Sequence, residues 1–233
     1  DGRNPARIIA VPSGKGGVGK TNLTVNLAIA MGMEGKRVII IDADMGMANV
    51  DIILGSMSKY NLLNLLQPGM ELEDVLLRGP YGVNYISGGS GIAGMANLSR
   101  AYLNYIIKNL VELDALADII IIDTGAGISD AVLEFLVASG EILLVTTPEP
   151  TSITDSYSLL KALYRHPRFK EEDTKVKMLA NRVERASEGQ ILFNKLNAVV
   201  TRYLKIPMTY LGCVPQDMQL QKAVMQQLPV SMQ

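Results

Sequence analysis

Ser13-Gly14-Lys15-Gly16-Gly17-Val18-Gly19-Lys20-Thr21 decides how this chain folds. From Gly14 to Thr21 it has the form G-x-x-x-x-G-K-[ST]. The apolar run Ile8-Ile9-Ala10-Val11 precedes it and reads as a buried strand. Leu23, Val25, Leu27, Ala28 and Met31 follow at the spacing of one helix face. Strand, glycine turn and helix N-terminus together make a phosphate cradle. Glycines let successive N–H groups turn inward, and the helix N-terminus adds partial positive charge. Gly14, Gly16, Gly17, Val18 and Gly19 supply the backbone of that cradle. Lys20 is placed to reach the β- and γ-phosphates, and the Thr21 hydroxyl to ligate Mg²⁺. Lys15, a second lysine at the start of the loop, has no obvious task inside its own subunit.

The same β-then-α alternation continues outward. Strands are expected at 37–41, 84–87, 119–122, 142–145, 176–180 and 209–213. Helices are expected around 62–66, 72–77, 100–113, 129–138, 152–164 and 189–204. The run Ile119-Ile120-Ile121-Ile122 favours a central strand, because β-branched side chains suit the pleated sheet. Ser129 is placed to cap the helix that follows. The alternation predicts an α/β fold with a doubly wound, mostly parallel sheet and helices on both faces. At 233 residues and 48% apolar, one domain spanning 1–233 is expected.

Composition removes several function classes. The formal net charge is -1, so no global basic field advertises nucleic-acid binding. One cysteine, Cys213, excludes an internal disulfide framework, and it reads as a small buried hydrophobe at a strand end. The single histidine, His166, reads as a surface or capping residue at a helix end. No stretch is long and apolar enough for a transmembrane helix. The chain opens at Asp1 with no methionine and no signal pattern, as a trimmed segment would.

In a doubly wound sheet, ligands bind beyond the carboxyl ends of the strands. Polar residues collect there. Asp42 and Asp44 follow one strand, Asp123 follows the four isoleucines, and Asn181 and Asp217 follow the last two. Asp123 is placed as a Walker B carboxylate that holds Mg²⁺ through water. Gly125 and Gly127 give its segment the freedom of a switch. Asp42 is placed to support Mg²⁺ or the Thr21 hydroxyl, and Asp44 to orient an attacking water. Phosphoryl transfer to water needs positioning and charge neutralisation more than a strong base. Met45-Gly46-Met47 reads as a loop able to close over the phosphate. The positive charge of Lys15 is placed to reach a neighbouring subunit's nucleotide, as an arginine finger does.

Lys15-Gly16-Gly17-Val18-Gly19-Lys20-Thr21 resembles the deviant Walker A motif of the MinD/ParA ATPases. Asp42-Ala43-Asp44 and Asp123-Thr124-Gly125-Ala126-Gly127 resemble that family's two switch segments, and Asn181-Arg182 with Pro215 and Asp217 its adenine-side segments. Asp44-Met45-Gly46-Met47-Ala48-Asn49-Val50-Asp51, residues 123–130 (DTGAGISD) and 146–156 (TTPEPTSITDS) are similar to the flagellar branch, called FlhG, FleN or YlxH. The resemblance implies a Mg²⁺- and ATP-dependent cycle in which Lys15 crosses an ATP-bound homodimer and hydrolysis releases it. It implies control of flagellar number and placement, with an FlhF-type SRP GTPase, flagellar C-ring proteins and, in some bacteria, a transcription activator as partners. It also implies a cytoplasmic protein that visits the inner face of the membrane, although Pro229 would interrupt an amphipathic anchor helix within 226–233. Division-site placement, DNA partitioning and a slow nucleotide-gated interaction protein are the alternative roles.

Overall fold

The computed structural model describes residues 4–44, 49–89, 99–217, 220, 226 and 229–232. Among them run strands β1 (Arg7–Ser13), β2 (Val38–Ala43), β3 (Leu76–Arg78), β4 (Val83–Ile86), β5 (Ile119–Ala126), β6 (Glu141–Thr146), β7 (Lys175–Val183) and β8 (Met208–Pro215). The helices are α1 (Lys20–Met33), α2 (Val50–Ile53), α3 (Leu72–Val75), α4 (Arg100–Val111), α5 (Asp130–Val137), α6 (Pro150–Tyr164) and α7 (Ala186–Tyr203). The strands form one sheet in the order β3-β4-β2-β5-β1-β6-β7-β8. The expected α/β architecture is therefore present. β4 runs parallel to β2, β6 to β1, β7 to β6 and β8 to β7, while β3 runs antiparallel to β4.

The chain falls into two compact units. One holds Asp1–Ile8, Thr21–Asp123 and Gln219–Gln233, and the other holds Ile9–Lys20 and Thr124–Met218. In the first unit, β2 is buried along its whole length, which its unbroken apolar run demands of a strand covered on both faces. α4 turns Leu103, Ile106 and Leu110 inward. Arg37, just before β2, binds Asp118, just before β5, with Nη2 2.7 Å from Oδ1. The helix expected over 72–77 stops at Val75. Leu76 and Leu77 instead pair with Ile86 and Tyr85 on β4, so the edge of the sheet overrides two good helix formers.

In the second unit, β6 and β7 pair in register over six residues, and α5, α6 and α7 return the chain between successive strands. Ser129 caps α5 as expected, its Oγ accepting the Val132 N–H at 3.2 Å. His166 differs from its expectation. Its side chain is 7% exposed and lies 3.4 Å from the buried carboxylate of Glu134. Arg168 completes an ion pair with the same carboxylate. A fully buried glutamate on α5 requires such partners, and an i-to-i+4 sequence scan does not find them 32 residues away. Cys213 is half-buried within β8, where it meets Tyr210, rather than buried at the strand end.

A P-loop site and its switch carboxylates

The phosphate loop lies in the second unit, between β1 and α1. Gly17 and Gly19 have φ of 73° and 84°, the left-handed region that a side chain resists. Gly14 is needed for a different reason: a Cβ there would overlap the backbone of Asp155 and Ser156 in α6. The first turns of α6 are thus the wall on which the loop rests. Hydroxyls hold that wall in place. Ser152 Oγ accepts the Thr147 N–H at 3.0 Å, and Thr146 and Ser156 share a hydrogen bond of 3.0 Å. On the opposite flank, Asn181 at the end of β7 donates from Nδ2 to the Val18 carbonyl at 2.7 Å. Arg182 has φ of 60°, a strained setting for a non-glycine residue, and its guanidinium lies beside Gly19.

Lys20 is buried, and its ammonium donates to the carbonyl of Thr124. Thr124 is the residue after Asp123, so the lysine of the loop touches the segment read as a switch. Ser13 reinforces this link, its carbonyl accepting from Gly127 N–H at 2.9 Å and its hydroxyl donating to the Lys15 carbonyl at 2.8 Å. Lys15 has a partner in its own chain, contrary to expectation. Its ammonium pairs with Glu149 and donates to Thr151 Oγ1 at 3.2 Å. Hydrogen bonding and charge from Lys15, with a smaller contribution from Arg182, hold the Glu149 carboxyl below the usual glutamate range. Both side chains remain accessible, at 38% and 53%. Sequence reading had the signal for this pair. β6 ends at Thr146, so 147–151 obey the strand-end rule that located the other polar residues.

The carboxylates Asp42 and Asp123 belong to the first unit and are both buried. Asp42 Oδ2 accepts N–H groups from Asn49 and Val50 at 3.0 and 3.1 Å, and Oδ1 accepts from Asp44 at 3.2 Å. Those donors lower its pKa. Burial, and next the charge of Asp123, raise it further, and the balance puts Asp42 at about 7. Asp51, one residue into α2 from Val50, accepts from Ser58 Oγ at 2.9 Å and Ser87 Oγ at 2.6 Å, which fixes the helix that grips Asp42. Gly88 is required because a Cβ there would stand 2.5 Å from the Asp42 carbonyl oxygen. Thr21 and Asp44 are half-buried, Pro215 closes β8, and Asp217 is exposed just beyond it. Residues 45–48, read as a closing loop, lie outside the described residues, as do 90–98.

Two buried carboxylates, one of which raises the proton affinity of the other, are a donor set suited to a divalent cation, and the glycine cradle with its buried lysine suits a polyphosphate. Together with the parallel sheet they define a P-loop nucleoside triphosphatase. The chain belongs to the CobQ/CobB/MinD/ParA nucleotide-binding domain family, whose model matches residues 9–230. It is 43% identical to the antiactivator FleN of Pseudomonas aeruginosa over 97% of this chain and 80% of that protein. It is 34% identical to the flagellum site-determining protein YlxH of Helicobacter pylori over 96% of this chain and 74% of that protein. The fold is also similar to that of the septum site-determining protein MinD complexed with Mg-ADP from Pyrococcus horikoshii. That likeness has a TM-score of 0.77 and 26% identity, covering 96% of this chain and 87% of the other. The protein is an ATPase that uses ATP and Mg²⁺.

Proposed function

We propose that this ATPase regulates flagellar number and placement through an ATP-dependent homodimer that hydrolysis takes apart. The similarity to FleN and YlxH supports the flagellar role. The observation that carries the switch is Lys15. It is a cation at the mouth of the phosphate loop, held within its own chain only by an accessible pair with Glu149 and Thr151. Exposed ion pairs are weak, so a nucleotide phosphate on a partner subunit competes with Glu149 for this lysine.

Within each subunit, Lys20 and the N–H groups of 14–20 hold the phosphates, and Thr21, Asp42 and Asp123 hold the metal. Mg²⁺, when bound, neutralises charge on the phosphate oxygens. Asp44 orients the attacking water. Asn181, Arg182, Pro215 and Asp217 line the base. Because Lys20 already touches the Thr124 carbonyl, its move to a phosphate frees the segment 124–127, which makes that segment the reporter of nucleotide state. Partners of the dimer are an FlhF-type SRP GTPase, flagellar C-ring proteins and a transcription activator, the last supported by the similarity to FleN, an antiactivator. Association with the inner face of the membrane is peripheral; among the described residues no helix is long and apolar enough to cross it.

Light scattering with Mg²⁺ and a non-hydrolysable ATP analogue tests this reading. The wild type forms dimers; Lys15→Ala binds the analogue but stays monomeric. A normal dimer of Lys15→Ala would overturn the cross-subunit role. Flagellar counts by electron microscopy, in a flagellated host lacking its own relative, test the biological role, and unchanged counts on expression would refute it.

A further inference from the structure

One face of α7 carries cations that the nucleotide site does not use. From 189 to 216 there is no aspartate or glutamate, while Lys195, Arg202 and Lys205 are present, in a protein whose net charge is -1. α7 buries Leu192, Leu196 and Val200 and leaves a stripe beside them in solvent. Ile191 is 53% exposed on that stripe, Val199 37% and Tyr203 61%. Arg202 lies over the Tyr203 ring at 5.3 Å. Glu188, in the first turn, is the one acidic residue of α7, and none lies within a helical turn of Lys195 or Arg202, so the exposed aromatic and aliphatic side chains are interleaved with cations that no acidic residue of the helix pairs.

Geometry selects the occupant. At the helical repeat, Arg202 and Lys195 project about 20° and about 40° round from Ile191, and Val199 about 80°. The cations therefore sit in the middle of the apolar stripe. A helix that lies in a membrane interface places its cations at the borders of the apolar face, where they reach the headgroups. Strand addition beside α7 is also disfavoured. β8 is the last strand of the sheet, but it is blunted by a bulge, where Met178 and Leu179 pair with Tyr210 and Gly212 and skip Leu211, and by Pro215 at its end. We propose that the α7 face docks an acidic amphipathic helix of a protein partner, with carboxylates meeting Lys195 and Arg202 and aliphatic residues covering Ile191 and Val199.

The test uses the whole chain and a fluorescein-labelled peptide of about 18 residues, long enough to be helical, with leucines on one face and glutamates around them. Fluorescence anisotropy is expected to show saturable binding that weakens with salt. Lys195→Glu/Arg202→Glu should weaken it about tenfold or more, and Ile191→Ser/Val199→Ser similarly. Amide hydrogen exchange should show new protection across α7. Both double variants should keep the wild-type melting temperature and ATP-analogue binding, which separates this surface from the nucleotide site. Failure of the peptide to bind, equal binding by the variants, or protection elsewhere would overturn the proposal. So would co-sedimentation with vesicles of phosphatidylglycerol and phosphatidylcholine that Lys195→Glu/Arg202→Glu abolishes while the peptide stays unbound, since the face would then be a membrane contact.

Discussion

Asp42 makes the metal-free protein less stable as pH rises. Its carboxyl ordinarily titrates at 3.8 and here titrates at about 7, first because it is buried and second because Asp123 is charged nearby. The folded state therefore holds a proton that the unfolded chain has already released. Between pH 3.8 and about 7 the native protein binds more protons, so the free energy of unfolding falls as pH rises through that window and levels off above it. At about 1.4 kcal/mol per pH unit the whole effect is about 4 kcal/mol. Between pH 5.5 and 8 about 2 kcal/mol of it is lost. Urea unfolding of metal-free wild type and Asp42→Asn at both pH values isolates this group together with its coupling to Asp123, because the titrations away from the pair are common to the two proteins. Wild type should lose about 2 kcal/mol more than the variant on going to pH 8. Asparagine disturbs three backbone N–H contacts, which lowers stability at both pH values and cancels in the difference. Parallel pH profiles for the two proteins would refute the assignment of a raised pKa to Asp42. Adding Mg-ADP should stabilise wild type more at pH 8 than at pH 5.5, because proton and cation compete for the same oxygens.

Three further outcomes follow from the site. Gly14→Ala forces a methyl into the backbone of Asp155 and Ser156; it should cost about 2–3 kcal/mol in unfolding assays and abolish binding of a fluorescent ATP analogue, whereas unaltered binding would mean that loop and α6 are not in contact. Arg168→Ala takes from the buried carboxylate of Glu134 its arginine and leaves His166 beside it, and thermal melts should report a loss of about 3 kcal/mol; a neutral result would show that the ion pair contributes nothing. Glu149→Gln frees Lys15 from its in-chain partner, and dimer formation should shift to lower concentrations of ATP analogue by no more than a few-fold, as expected of an accessible pair. A higher requirement would mean that Glu149 serves the dimer rather than the monomer.

Most of the fold was legible because the central strands β2 and β5 were unbroken β-branched runs, most other strands were short apolar runs, and the long helices had their own apolar stripes. The strand-end rule found Asp42, Asp123 and Asn181 for the same reason: in a parallel sheet all carboxyl ends lie on one side. The failures were local. Leu76 and Leu77 are helix formers taken by a sheet edge, and His166 and Glu134 are each unremarkable until α5 and the end of α6 are packed together.

What the sequence determined by itself was the chemistry available: a glycine cradle, its lysine, four strand-end carboxylates and an extra cation at Lys15. Local covalent spacing is enough for that, since the loop is nine consecutive residues. Only the tertiary structure decided what those groups do when no nucleotide holds them. It put Lys15 on Glu149 and Thr151, 134 and 136 residues away, Lys20 on the carbonyl of Thr124, and the loop against a bare stretch of α6 backbone. Such pairings depend on which strands lie side by side, and β1 lies beside β6 although more than a hundred residues separate them.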